Sequence, residues 1–289
     1  MFINLNPLAV GLGAVGFVDL VELAPRYGFE GIDFPHCGIN TEDAAGKARD
    51  AMHAAGLRWG LFWLPGDFLD GTDDQFDEAM GRLDAVLPII RRAGVTRTYN
   101  HVWPGSNERA FDENFAWHVA RLKRLVGALG EAGASLGIEF IGPRTLRDRF
   151  AHPFIRTLAG AVQLADAVGP ELGIVVDCFH LYTSGGGPAD LSEQLSGRRV
   201  INVHANDAFP GRSRAEQVDG ERAMPLATGL IDTPGILAAL DTLGYDGPVI
   251  AEPVYPSVEK FQQMLPADVL TETGARMREL FRRGGMQRG

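Results

Sequence analysis

Four apolar runs between residues 137 and 252 each end in a residue that can bind a metal ion. The runs are Gly137-Ile-Glu139, Ile174-Val-Val-Asp177, Ile201-Asn-Val-His204 and Val249-Ile-Ala-Glu252, and 38, 27 and 48 residues separate successive end residues. One acidic residue at a strand end usually belongs to a turn. Three carboxylates and an imidazole at one place, however, raise one another's pKa unless a cation neutralises them. A set this rich in oxygen suits Mn²⁺ or Mg²⁺ better than a thiolate site for zinc.

Short apolar runs alternate with amphipathic segments along the whole chain. The pattern predicts strands at Ile3–Leu8, Gly31–Phe34, Arg58–Leu64, Thr96–Asn100, Leu136–Phe140, Gly173–Asp177, Val200–His204 and Pro248–Glu252. It predicts helices at Phe17–Tyr27, Thr41–Ala55, Asp73–Ala93, Glu113–Ala132, Thr157–Val168, Pro188–Leu195 and Thr233–Leu243, with a last helix within Ala267–Arg283. Thr41, followed by acidic residues, is the expected cap of the second helix.

Several of these helices are followed by a glycine and then by the next apolar run, which is typical of αβ loops. The glycines are Gly28, Gly56, Gly94, Gly133 and Gly244. Eight β-α units without a linker predict a single-domain (β/α)8 TIM barrel over residues 1–289, with a doubly wound sheet as the alternative. In such a barrel the carboxyl ends of the strands meet at one mouth, so the four end residues would ring it.

The overall composition excludes some classes of function. The formal charge of −10 opposes nucleic-acid binding through phosphate neutralisation, and the 45% hydrophobic content provides a core. Two cysteines form neither a disulfide framework nor a CxxC motif. The apolar N-terminus lacks the basic region of a signal peptide, and no apolar run reaches the length of a membrane span. We therefore expect a cytoplasmic protein, and a homo-oligomer is left open.

Gly11, Gly13 and Gly16 match the GxGxxG motif of dinucleotide-binding proteins, and Asp33 stands near the position of a ribose-binding acid. Pro7 disrupts the strand that should enter the motif, and the loop is longer than the usual tight turn. A flexible first βα loop at the barrel mouth is the favoured interpretation, and an NAD-dependent oxidoreductase is the alternative.

From Glu139 to Glu252 the chain resembles the xylose isomerase-like TIM barrels, a family of sugar phosphate isomerases and epimerases. The family includes ketose 3-epimerases, inosose dehydratase and 2-keto-inositol isomerase. The resemblance extends over essentially the whole chain and rests on the motifs GIEFIGP, VVDCFH, INVHANDA, DGER with TGLID, and GYDGPVIAEP. It implies that Glu139, Asp177, His204 and Glu252 bind one divalent metal, with Mn²⁺ expected and Mg²⁺, Co²⁺ or Zn²⁺ as alternatives. It also implies that Glu139 and Glu252 act as acid and base on opposite faces of a bound sugar.

The resemblance further implies which residues hold the substrate. His180 of the DxxH motif would contact hydroxyl or carbonyl oxygens, and Arg222 is the nearest match to the family's substrate-binding arginine. Residues 209–218 are extra length compared with the shorter epimerase loop, so Arg212 and Arg214 compete with Arg222.

Weaker candidates follow other strands. His101 and Trp103 should face the mouth. For His101, a purely structural role and a role in substrate contact or proton transfer are equal alternatives. His36 is a similar but weaker candidate. A sugar-facing wall and core packing are equal alternatives for the Phe62-Trp63 pair. A solvated loop is favoured for Arg144 and Arg147, while Asn206 and Asp207 are expected to orient His204 rather than bind metal.

The favoured function is metal-dependent isomerisation or epimerisation of a sugar, keto-sugar or cyclitol by proton transfer next to a carbonyl. A lyase or dehydratase acting on an inosose or 3-oxo-glycoside is the runner-up. A non-catalytic sugar-binding or partner subunit is the alternative from another class. A DNA-repair endonuclease on the same barrel is disfavoured, because it needs more histidines at the mouth and the chain is acidic.

Overall fold

Eight parallel strands form one sheet in the computed structural model, which describes residues 1–35, 37–195 and 200–286. They are β1 (Phe2–Leu5), β2 (Gly31–Ile32), β3 (Arg58–Trp59), β4 (Arg97–Val102), β5 (Ser135–Phe140), β6 (Leu172–Asp177), β7 (Val200–Ala205) and β8 (Pro248–Ala251). The spatial order is β3-β2-β1-β8-β7-β6-β5-β4, so β1 lies beside β8.

Two hydrogen bonds join the segment after β3 to β4 and bring the ends of the sheet together. The Phe62 N–H donates to the Arg97 carbonyl at 3.0 Å, and the Thr98 hydroxyl donates to the Phe62 carbonyl at 2.7 Å. Consecutive strands therefore surround one interior, which confirms the barrel and rules out the open doubly wound sheet. That residues 1–289 form one domain stays a prediction.

The main helices surround the sheet in the βα order that the sequence predicts. They are α1 (Phe17–Leu23), α2 (Glu42–Ala54), α3 (Asp73–Ala93), α4 (Phe111–Glu131), α5 (Leu158–Val168), α6 (Pro188–Gln194), α7 (Thr233–Thr242) and α8 (Pro266–Arg283). In α3 the buried residues recur at helical spacing: Phe76, Ala79, Leu83, Leu87 and Ile90. No helix in the described ranges has both the length and the apolar character needed to cross a bilayer.

Local signals for the helix ends are confirmed. The Thr41 hydroxyl accepts a hydrogen bond from the Ala44 N–H at 3.2 Å and caps α2. The five loop glycines that follow predicted helices all have φ between 67° and 85°, a region that favours glycine.

Element boundaries differ from the prediction at the start of the chain. β1 ends at Leu5 rather than Leu8, because the chain turns where the Leu12 N–H donates to the Pro7 carbonyl. The predicted helix Phe17–Tyr27 divides into α1 and a 3₁₀ turn, Ala24–Tyr27, that has Pro25 in its first turn. A short helix, Cys178–Thr183, follows β6 and was not predicted.

Candidate metal centre

Four side chains meet at the carboxyl ends of the strands: Glu139, Asp177, His204 and Glu252. One ligand atom from each lies within 4.8 Å of the others. Strand register explains much of this convergence, because Asp177 on β6 pairs with His204 on β7. The Glu252 N–H, just after β8, donates to the Ala205 carbonyl at 2.9 Å and brings that residue to the same level. The structure therefore brings together the four residues that the sequence singled out.

Nδ1 of His204 faces three carboxylate oxygens. It lies 3.0 Å from Glu139 Oε1, 3.3 Å from Glu252 Oε1 and 3.6 Å from Asp177 Oδ2. None of these contacts has hydrogen-bond geometry, and the buried Nδ1 has no hydrogen-bond partner among the described residues. Three carboxylate oxygens around one orphaned imidazole nitrogen form a donor set that suits a divalent metal.

Neighbouring charges determine the pKa values of this cluster. Burial alone would raise the pKa of Glu139, but His204 and His101 outweigh burial and lower it. Burial opposes ionisation of Asp177 as well, yet Arg222 and the nearby imidazoles hold its pKa well below the usual value. Burial lowers the pKa of His204, whereas Glu252 and Glu139 raise it well above normal. The carboxylates of Glu139 and Asp177 are thus kept ionised in a buried place, as ligands to a cation must be.

Arg222 is the arginine that the structure brings to the cluster. Its Nη1 donates to Asp177 Oδ2 at 2.8 Å and to Glu252 Oε2 at 2.5 Å. Its Nη2 donates to Asp219 Oδ1 at 2.9 Å, and its guanidinium stacks on the Phe179 ring. These contacts fix a buried guanidinium beside two of the four clustered residues.

The competing arginines point to other partners. Arg212 pairs with Glu221 and stacks on Phe209, whereas Arg214 stacks on Tyr182. Arg144 and Arg147 lie on a short helix, Arg144–Arg147, rather than in the expected loop, and both pair with the exposed Asp148.

His180 lies on the short helix after β6, next to Arg222. The backbone N–H of His180 donates to Asp177 Oδ1 at 2.8 Å. The ring nitrogen Nε2 of His180 lies 3.1 Å from Arg222 Nη2 and 4.0 Å from Glu139 Oε1. Burial lowers the pKa of His180. The DxxH spacing thus places the aspartate at the helix cap and the histidine one turn later, both at the cluster.

His101 connects the buried cluster to the open mouth. Register pairs it with Glu139, and its Nε2 lies 3.1 Å from Glu139 Oε2. Its side chain is 45% exposed, whereas that of Glu139 is 2% exposed. Burial lowers the pKa of His101, but Glu139 raises it above the usual value. Trp103 is half-buried, with its ring centre 6.5 Å from that of His101.

Sequence reasoning missed Tyr99 and Asp219. The ring of Tyr99 lies 5.2 Å from His204 and 5.3 Å from His101, on the inward face of β4. The alternation of Arg97, Tyr99 and His101 along β4 is the signal that would have found it. Asp219 lies in the DGER motif but was not singled out.

Other predicted residues have different roles from those expected. The expectation that Asn206 and Asp207 orient His204 is wrong. The Asn206 amide donates to Asp177 at 3.1 Å, and the Asp207 carboxylate accepts from the backbone N–H groups of residues 208, 228, 229 and 231. Phe62 is buried in the core and Trp63 is half-buried. His36 lies outside the described residues.

The GxGxxG segment lies in the first βα loop, between the end of β1 at Leu5 and the start of α1 at Phe17, as expected. Asp33, the residue at the ribose-binding position, is buried, and its Oδ1 accepts hydrogen bonds from the Asn4 amide at 2.6 Å and the Leu61 N–H at 2.8 Å. Those bonds engage Oδ1, whereas the buried Oδ2 has no hydrogen-bond partner among the described residues.

Comparison with known proteins agrees with this architecture. An inosose isomerase from Halalkalibacterium halodurans is 30% identical over 125 residues, a segment that covers 42% of this chain and only 39% of that protein. The structure of an IolI protein with a bound zinc atom has a TM-score of 0.78 at 16% identity, covering 97% of this chain and 98% of the other. D-psicose 3-epimerase from Clostridium cellulolyticum H10, solved with D-tagatose, has a TM-score of 0.73 at 14% identity, covering 98% and 99%.

The two structural similarities show a shared fold, and the family assignment rests on a separate finding. A family model described as a xylose isomerase-like TIM barrel matches residues 21–280, which is most of the chain. The chain therefore belongs to the xylose isomerase-like TIM barrel family.

Proposed function

We propose that the protein is a divalent-metal-dependent isomerase or epimerase of a sugar, keto-sugar or cyclitol. One observation carries the proposal. A carboxylate oxygen of Glu139 and one of Glu252 lie 3.0 Å and 3.3 Å from the same nitrogen, Nδ1 of His204, at the barrel mouth. The inosose isomerase and D-psicose 3-epimerase similarities support a sugar or cyclitol substrate.

The four clustered residues would hold one divalent ion, with Mn²⁺ as the expected species. The zinc atom in the similar IolI structure supports a divalent metal. When bound, such an ion polarises carbonyl and hydroxyl oxygens and so acidifies the neighbouring C–H bond.

Proton transfer falls to the two glutamates. Glu139 is 2% exposed and Glu252 is 20% exposed, so one carboxylate is sealed into the barrel and the other borders the mouth. One would remove a proton from the carbon next to the carbonyl, and the other would return a proton or assist the departure of a hydroxyl. His101, in contact with Glu139 and half-exposed, would exchange that proton with solvent.

The remaining residues would hold the substrate. His180 and Arg222 lie side by side next to the cluster, where they would contact sugar oxygens. Tyr99, His101 and Trp103 supply aromatic surface at the mouth, against which the apolar face of a sugar ring packs.

Solvent deuterium tests the proton-transfer mechanism. Turnover of inososes or ketoses in D₂O is expected to place deuterium at the carbon next to the carbonyl, as measured by mass spectrometry. Glu139→Gln and Glu252→Gln are expected to lower kcat by at least roughly a hundredfold even when assayed at Mn²⁺ concentrations that load them with metal. The control, Glu131→Gln at the exposed end of α4, should keep full activity.

Two results would redirect the proposal. Transfer of the substrate's own hydrogen without exchange would mean a hydride shift and would overturn proton transfer by the glutamates. Loss of water from the substrate, with the same dependence on both glutamates, would identify the lyase reaction on this site instead.

A further inference from the structure

A cavity of about 580 Å³ lies between the first βα loop and α2. Its size falls in the range typical of ligand pockets. Its walls are mainly apolar, with Phe17 and Phe34 on one side and small residues of α2, such as Ala44, on the other. None of the four clustered residues lines it.

Two aromatic side chains, Trp63 and Tyr99, lie between the cavity and the candidate metal centre. Trp63 lines the cavity, and its ring centre lies 6.2 Å from that of Tyr99. The Tyr99 ring in turn lies 5.2 Å from that of His204. A group attached to a sugar at the metal centre would therefore reach the cavity past Trp63 and Tyr99.

Lys47 and Asp33 are the charged residues among the described residues of the wall. Lys47 pairs with Asp43 at 2.6 Å and is 77% exposed. Asp33 accepts its hydrogen bonds from Asn4 and Leu61, and burial raises its pKa to about 7. Neither residue offers the fixed positive charge that a phosphate or carboxylate ligand needs.

The rim of the cavity exposes apolar surface to solvent. Leu8 is 45% exposed and Val18 is 76% exposed, and both line the cavity. Large apolar side chains that remain exposed around a concave apolar site indicate a surface that a ligand covers.

Resting on the proposed function, we infer that the substrate is a sugar or cyclitol ketone that carries a neutral apolar substituent, such as an aryl group. The sugar ring lies at the metal centre and the substituent fills the cavity between the first βα loop and α2. The glycine-alanine loop that resembles a dinucleotide motif thus forms the wall of a substrate subsite.

A matched pair of ligands tests this inference by calorimetry on the Mn²⁺-loaded protein. Phenyl and methyl 3-oxo-glucoside share the reactive ketone and differ only in the substituent. The phenyl compound should bind about tenfold to a hundredfold more tightly, the effect expected from burying one aromatic ring. Equal affinity for the two compounds would overturn the inference.

Variants of α2 locate the effect. Ala44→Phe and Ala51→Phe place a ring in the cavity from two half-buried positions, whereas Ala54→Phe puts the same ring on an exposed part of the same helix. The two filling variants should remove the advantage of the phenyl compound and leave the methyl compound within about twofold of wild type. Thermal melting identifies any variant that does not fold, and the second filling variant then decides.

Free p-nitrophenol separates this inference from the proposed function. Ligand-observed NMR should detect its binding to wild type and to Ala54→Phe, with at least roughly tenfold weaker binding to Ala44→Phe. If neither 3-oxo-glucoside binds but p-nitrophenol behaves in this way, the apolar subsite stands and the sugar-ketone substrate falls. If filling the cavity does not weaken p-nitrophenol binding, the subsite falls whatever the reaction.

Discussion

Glu139 and Asp33 are both buried carboxyl groups of the barrel, yet their pKa values shift in opposite directions. For Glu139 the positive charges of His204 and His101 overcome the effect of burial and lower the pKa. For Asp33 burial dominates and raises the pKa to about 7, against the lowering effect of its hydrogen bonds from Leu61 and Asn4. Two buried carboxyl groups therefore differ in pKa because the charged and hydrogen-bonding groups around them differ.

The raised pKa of Asp33 predicts a pH-dependent cost in stability. Between about pH 4 and pH 7 the folded protein binds a proton at Asp33 that the unfolded chain has already lost. Stability therefore falls as pH rises through this window, and the full cost is present above pH 7. Asp33→Asn keeps the Oδ1 acceptor and removes the charge. At pH 8 it should raise the unfolding free energy by at most roughly 4 kcal/mol, and the melting temperature should rise with it. At pH 5 both increases should be much smaller.

Thermal unfolding at the two pH values provides the measurement. Asp74→Asn, at an exposed position in the first turn of α3, is the control for the loss of one surface charge. A gain from Asp33→Asn that is the same at pH 5 and pH 8 would contradict the assignment of the effect to ionisation of the buried group.

The loop after β5 and the short helix Cys178–Thr183 pack together through Gly142. A Cβ atom built on Gly142 would lie 2.2 Å from the His180 carbonyl oxygen and 2.6 Å from the Thr183 hydroxyl. The Gly142 N–H also donates to Nδ1 of His180 at 3.3 Å. The glycine in GIEFIGP therefore lets the loop approach the helix that carries His180.

Gly142→Ala should displace that helix and with it His180. Because backbone atoms are in the way, we expect a loss of roughly 1–3 kcal/mol in unfolding free energy, measured with urea. Substrate affinity should fall as well, since the proposed partner of sugar oxygens moves.

Gly127→Ala in α4 is the matched control for the same substitution. An added Cβ meets nothing within 4 Å there, so alanine should leave stability unchanged or raise it through helix propensity. A Gly142→Ala protein as stable as wild type would refute the close-approach argument.

The residues of the candidate metal centre come from β5, β6, β7 and the end of β8, so we expect metal binding to stabilise the barrel as a whole. Any ion that binds only the folded chain raises its stability. Chelation of Mn²⁺-loaded protein should therefore lower the melting temperature at pH 7.5. The decrease should be smaller at pH 5.5, because protons compete with the metal for His204 and the carboxylates.

Asp177→Asn tests whether the cluster is responsible. It should bind Mn²⁺ at least roughly tenfold more weakly than wild type, as measured by calorimetry, and its melting should respond less to chelation. Asp219→Asn, which changes a carboxylate that contacts Arg222 and His180 but lies outside the four-residue cluster, is the matched control. Equal Mn²⁺ affinity in wild type and Asp177→Asn would contradict the assignment of the four-residue cluster as the metal site.

The sequence by itself determined the barrel, the helix-terminating glycines and the four ligand-type residues at the strand ends. Each of these depends on local periodicity or on a repeated position relative to a strand, both of which are readable along the chain. The tertiary structure alone decided that Arg222, and not Arg212 or Arg214, reaches the cluster, that Tyr99 faces it, and that Asn206 binds Asp177. It also decided that the first βα loop and α2 enclose an apolar cavity. These features depend on strand register and on contacts between segments far apart in sequence, which no local pattern encodes.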